Sequence, residues 1–162
     1  MRNPSLLSGA GGQARHSVAE RRLQAFVPQG LVGGDIDVAR DELHAWVVGQ
    51  GGGIGVPFGL WSTSTGGGAW EPVAPLSPSP PYFDGVSFST TTEGWVTGGS
   101  VILHSLSGGS SWTQQSLPSG IAGAGRIAAH GINSACATAS DNSSNAAIIC
   151  TWDDGTTWSR VL

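Results

Sequence analysis

An all-β fold built from repeated four-stranded antiparallel meanders is what this sequence predicts. Three observations carry the prediction. Composition is the first: of 162 residues, 26 are Gly and seven are Trp against a single Tyr, and only 11% are charged. Turn-rich, charge-poor chains of this kind make many short strands, and one core is sustainable at this length. The second is a recurring corner: TSTGGGAW at 63–70, SLSGGSSW at 105–112 and TWDDGTTW at 151–158. The third is its spacing. Trp70, Trp112 and Trp158 are 42 and 46 residues apart. Periods of about 40–50 residues with strand patterning fit the blades of a β-propeller.

Each unit reads in the same order. An alternating strand comes first: DIDVA at 35–39, GVSFS at 85–89 and RIAAH at 126–130. A polar turn follows, and then a strand around Trp46, Trp95 or Cys136. The third strand is FGLWST at 58–63, SVILHS at 100–105 and NAAIIC at 145–150. The corner then leads into a short fourth strand beginning at Trp70, Trp112 or Trp158. Four meander strands make one blade, so the blades fall at about 33–73, 83–117 and 124–162. The Pro-rich connector 74–84 cannot pair in a sheet. Residues 1–30 form an N-terminal extension, poorly ordered or with a short helix over 16–26, where Val18, Leu23 and Phe26 share a faint period.

The corner has a physical rationale. The Asp153 side chain is placed to accept backbone N–H groups a couple of residues on and close the turn. Thr65 and Ser107 hold that position in the other copies, with weaker hydroxyl acceptors. Gly67, Gly109 and Gly155 supply the positive φ of a tight reversal. Thr63, Ser105 and Thr151 open each corner, Thr151 being placed to pair across the turn. Each Trp is expected to cover the hairpin while its N–H finds a carbonyl. These twelve residues are read as structural.

The pattern S/T-x-D-x-G-x-x-W resembles the Asp-box, or BNR, repeat of sialidase-like β-propellers. The stretch GWVTGGSVILHS at 94–105 is similar to a run found in the photosystem II assembly and stability factor family. The resemblance covers about 33–162 and implies seven-bladed propellers. Three blades do not close a ring, since propellers have about four to eight. The expectation is therefore either missing blades or self-association, two copies giving six.

Cys136 and Cys150 are each seven residues from Ser143. A hairpin symmetric about Ser143 sets them directly opposite, compatible with a disulfide. Two buried thiols are the alternative. A disulfide favours an oxidising, extracytoplasmic compartment for the parent protein, periplasmic or secreted. The N-terminus is not read as a signal peptide: its apolar stretch is broken by Gly, and Arg15, Arg21 and Arg22 follow.

Several functions are disfavoured. Net charge is −4 and the seven basic residues, all Arg, form no stripe, which argues against nucleic acid. No run approaches the roughly 20 apolar residues of a membrane span. His16, His44, His104 and His130 show no ligand spacing. GGGIG at 51–55 lacks the helix and Lys of a phosphate cradle. Asp35, Asp37, Asp41 and Glu42 lack EF-hand spacing and read as a solvated edge. A sialidase needs a Tyr nucleophile and an Arg clamp, but Tyr82 lies in a Pro-rich linker and the nearest Arg-Ile-Pro match is Arg126-Ile127-Ala128. No catalytic residue, cofactor or metal site is assigned.

With no catalytic set in the sequence, the function expected is a non-catalytic binding or scaffold module, and the resemblance implies an assembly or stability factor for a membrane or envelope complex. Its partner is a protein or a glycan, contacted through loops such as 90–94 and 131–133. The alternative is a fragment of a sialidase-like or xyloglucanase-like glycoside hydrolase, with Trp61 or Trp152 stacking on sugar.

Overall fold

The computed structural model describes residues 31–38, 41, 43–51, 59–73, 76 and 82–162. The expected extension at 1–30, its short helix and most of the Pro-rich connector lie outside the described residues. Every described element is a strand. The first blade holds β1 (Leu31–Val38), β2 (Ala45–Gly51), β3 (Gly59–Thr63) and β4 (Glu71–Pro72). The second holds β5 (Gly85–Phe88), β6 (Gly94–Gly98), β7 (Val101–Ser105) and β8 (Thr113–Gln115). The third holds β9 (Ile121–Ala129), β10 (Ala135–Asp141), β11 (Ala146–Thr151) and β12 (Ser159–Arg160). Each blade is a four-stranded antiparallel sheet in simple meander order. Among the described residues no helix is long and apolar enough to cross a membrane.

Several boundaries differ from expectation, and the first strand of blade 1 starts at Leu31 rather than Asp35, its pairing with β2 running back through the Gly33-Gly34 step. The third blade's first strand starts at Ile121, not at Arg126. Register shifts between Ala137 and Ala139 and between Ser140 and Asp141 let β9 stay paired through its Gly-Ala run, where side-chain alternation gives no signal. The fourth strands start one residue after the tryptophans, at Glu71, Thr113 and Ser159. Trp70, Trp112 and Trp158 belong to the corner, and pairing begins only once the reversal is complete.

Apolar side chains fill the spaces between blades. Trp46, Val48, Leu60, Val86, Phe88 and Val96 bury the first junction. Trp95, Ile102, Ile121, Ile127, Ile149 and Trp158 bury the second. Alternation along a strand makes this two-sided burial possible: in β6, Val96 faces blade 1 and Trp95 faces blade 3. Polar bonds cross the second junction as well. Ala124 N donates to Gly99 O at 2.9 Å, Ala129 N to Ser87 Oγ at 3.0 Å, and Thr97 Oγ1 to Gly125 O. Gly94 is required where it stands, because Phe88 lies over its Cα and a Cβ there would run into the ring.

Candidate functional site

Strand direction alternates in a meander, so the β1–β2, β5–β6 and β9–β10 turns share one end with the corners. Backbone bonds tie them together: Gly66 N to Leu43 O at 2.9 Å, Gly108 N to Thr92 O at 2.7 Å, and Asp154 N to Asn133 O at 3.1 Å. Inside each corner two side-chain acceptors gather the amides of the reversal. The hydroxyls of Thr63, Ser105 and Thr151 accept from the amides of Gly67, Gly109 and Gly155 at 3.1, 2.9 and 2.9 Å. They also accept from the amides of Thr65, Ser107 and Asp153. Thr65, Ser107 and Asp153 in turn accept the amides of Ala69, Ser111 and Thr157, each at 2.9 Å.

Three details depart from the sequence reading. The second acceptor reaches the amide four residues on, because two consecutive residues are left-handed and wrap the chain around it. Gly66–Gly67, Gly108–Gly109 and Asp154–Gly155 all have φ between 60° and 90°. Thr151 accepts inside the corner and does not pair across it. Trp112 Nε1 does find a carbonyl, Gly109 O at 2.9 Å, but Trp70 Nε1 and Trp158 Nε1 are buried with no hydrogen-bond partner among the described residues. Trp158 is held by apolar packing at the second junction.

Asp153 also accepts the hydroxyls of Thr157 and Thr151, at 2.6 and 2.8 Å. Bonds from the Thr157 side chain and amide hold its carboxyl below the usual carboxylate range.

The corner of blade 3 meets blade 2 at a buried polar junction. Glu93, 4% exposed, precedes β6 and accepts the Asn133 amide at 2.8 Å. His104, 5% exposed, stacks on Trp95 with ring centroids 4.5 Å apart. Its Nε2 faces Glu93 Oε1 at 3.8 Å, beyond hydrogen-bond reach. Burial pushes the His104 pKa down, and the carboxylates of Glu93 and Asp154 only partly oppose it. The loops at 90–94 and 131–133 are thus joined at this end by the Asn133 amide on Glu93, while Ile132 stays exposed. Sequence reasoning treated His104 singly and left Glu93 in a polar turn. The available signals were a histidine within the apolar run VILHS and a carboxylate directly before Gly94-Trp95.

At the opposite end, a cleft of about 390 Å³ lies between blades 2 and 3. Tyr82, Gly99, Ser100, Ala122, Gly123 and Ser140 line it. Its side chains are small, and blades 2 and 3 approach closely at its floor, where a Cβ on Gly123 would meet Gly99 O at 3.0 Å. Tyr82 is 42% exposed at this cleft. Of the tryptophans considered for sugar stacking, Trp61 is half-buried and Trp152 is 59% exposed.

Asp35 and Asp37 pair through their backbone with Val48 and Trp46 in β1–β2. Asp41 accepts the His44 amide at 2.9 Å and faces His44 Nδ1 at 2.7 Å; Glu42 lies outside the described residues.

Cys136 and Cys150 are disulfide-bonded and directly opposed, with Cα atoms 4.1 Å apart. They occupy the register position that Trp46 and Ser62 hold in blade 1, and Trp95 and His104 in blade 2.

Four-stranded meanders packed side by side and fastened by these corners define an Asp-box β-propeller. The family model described as the photosynthesis system II assembly factor YCF48 matches residues 21–162, and the chain belongs to that family. Two solved structures are similar to it. One, YCF48 bound to a D1 peptide, shares 31% identity with a TM-score of 0.63, covering 83% of this chain and 42% of that one. The other, YCF48 from Cyanidioschyzon merolae, shares 32% identity with a TM-score of 0.62, covering 84% and 38%. The chain therefore spans less than half the length of either structure. No curated protein matches it.

Proposed function

We propose that this chain is part of a non-catalytic propeller that binds an extended segment of a membrane or envelope protein while that protein's complex is assembled. The observation that carries the reading is the family match over 21–162, joined to the similarity with a YCF48 solved in complex with a D1 peptide. The cleft between blades 2 and 3 supports it. Its small lining residues beside the partly exposed, amphipathic ring of Tyr82 leave room for the side chains of an extended peptide. The family's description as an assembly factor favours binding over catalysis. An exported, oxidising compartment is part of the proposal, on the strength of the Cys136–Cys150 bond.

Fluorescence anisotropy of a labelled D1 peptide, titrated with the full-length protein, tests the reading. Saturable binding is expected. Ala122→Glu, which places a charge and bulk at the cleft, should weaken it by about tenfold, or 1.4 kcal/mol, with an unchanged thermal midpoint. Absence of saturable binding, or binding indifferent to this variant, overturns the proposal.

A further inference from the structure

Three ligand-bearing side chains converge where the corner of blade 3 meets blade 2. The carboxylates of Glu93 and Asp154 and the imidazole of His104 each offer one atom, and these atoms lie within 4.8 Å of one another. Glu93 and His104 are both more than nine-tenths buried. His104 Nε2 points into the acidic pair with no hydrogen-bond partner among the described residues, and Asp154 Oδ1 is likewise buried and unpartnered. Desolvated carboxylates beside an unsatisfied ring nitrogen are costly unless something charged or hydrogen-bonding joins them. A proton alone would satisfy one pair and leave the third group.

We propose that Glu93, His104 and Asp154 form a binding site for a divalent transition-metal ion of the zinc class. Two carboxylates and a neutral imidazole balance a 2+ charge. The mixed nitrogen and oxygen donor set suits zinc, nickel or cobalt over calcium or magnesium, which prefer oxygen alone. Zinc takes imidazole nitrogen and carboxylate oxygen at about 2.0–2.2 Å, so the triad closes inward to grip the ion. Outer support is in place. Glu93 is held by the Asn133 amide at 2.8 Å, and the His104 ring is clamped flat on Trp95, the kind of second contact that orients a ligand. Two ligands come from blade 2 and one from blade 3, so the ion ties the blades together.

The residue equivalent to Asp154 is glycine in the other two corners, Gly66 and Gly108, each with positive φ. Asp154→Gly therefore removes a ligand while keeping a residue that this corner accepts. The full-length protein, stripped with chelator and dialysed, is titrated with Co²⁺ and then Zn²⁺ by calorimetry and tryptophan fluorescence. The expected result is one-to-one binding, a visible Co²⁺ absorption band, and quenching of Trp95, which lies against His104. Asp154→Gly and His104→Gln should each weaken Co²⁺ binding by about tenfold or more. Lack of stoichiometric binding by the unaltered protein, or affinity and quenching unchanged in both variants, overturns the site.

Discussion

Trp46 of blade 1 lies flat on Phe88 of blade 2, with ring centroids 3.6 Å apart and planes 12° from parallel. Phe88 meets Trp112 edge-on, and Trp46 Nε1 donates to Gly108 O at 3.3 Å. One side chain thus supplies both the apolar and the polar link across the first junction. Trp46→Ala should cost about 3–5 kcal/mol, the usual loss for a large buried aromatic. Urea denaturation followed by circular dichroism measures it. A loss below about 1 kcal/mol would mean that the first junction contributes little to folding.

The Thr151 hydroxyl is the hub of the last corner, accepting the amides of Gly155 and Asp153 while donating to Asp153 Oδ1. Thr151→Val keeps the volume and removes the acceptor, leaving the buried Gly155 amide unpaired. The expected loss is about 1–3 kcal/mol. Thr151→Ser should recover most of it, since Ser105 does the same task in blade 2. Equal unfolding midpoints for the two variants would contradict the hydrogen-bond account.

Cutting the Cys136–Cys150 link frees a segment with a sequence separation of 14. Loop-closure entropy for about 15 residues predicts a loss near 3 kcal/mol. Thermal melts with and without reductant, alongside a Cys136→Ala/Cys150→Ala double variant, check this. The double variant should be insensitive to reductant.

Acid should loosen the β10–β11 hairpin. Bonds from the Asn145 amide and side chain, then the Ser143 amide and Arg160, hold the Asp141 carboxyl below its ordinary 3.8. A depressed folded value means that its stabilisation is complete above the unfolded value and lost as pH falls below 3.8 toward the folded one. Asp141→Asn should flatten the stability profile in that window. Acid unfolding monitored from pH 5 to pH 2 is the measurement; a profile identical to the unaltered protein would contradict the assignment.

The three blades were legible because their signal is local and repeated. A corner of eight residues carries its own acceptors and its own left-handed glycines, and two further copies at blade spacing remove ambiguity. The opposition of Cys136 and Cys150 was legible for the same reason, since a short hairpin fixes its own register. The start of β9 was not, because Gly123 and Gly125 interrupt the side-chain alternation. The Glu93–His104–Asp154 cluster was hidden more deeply. Its members come from a turn, a strand and a corner up to 61 residues apart, and only inter-blade packing brings them together. No spacing rule on one strand registers that convergence.

Trp46 reaches forward to Gly108, and Glu93 reaches forward to Asn133. A gene duplication that copied a single sheet would therefore carry half of each of two seams. The heritable unit of this architecture is the seam with both its flanks, and exchange between propellers should succeed where the crossover point falls inside a sheet and fail where it falls between sheets.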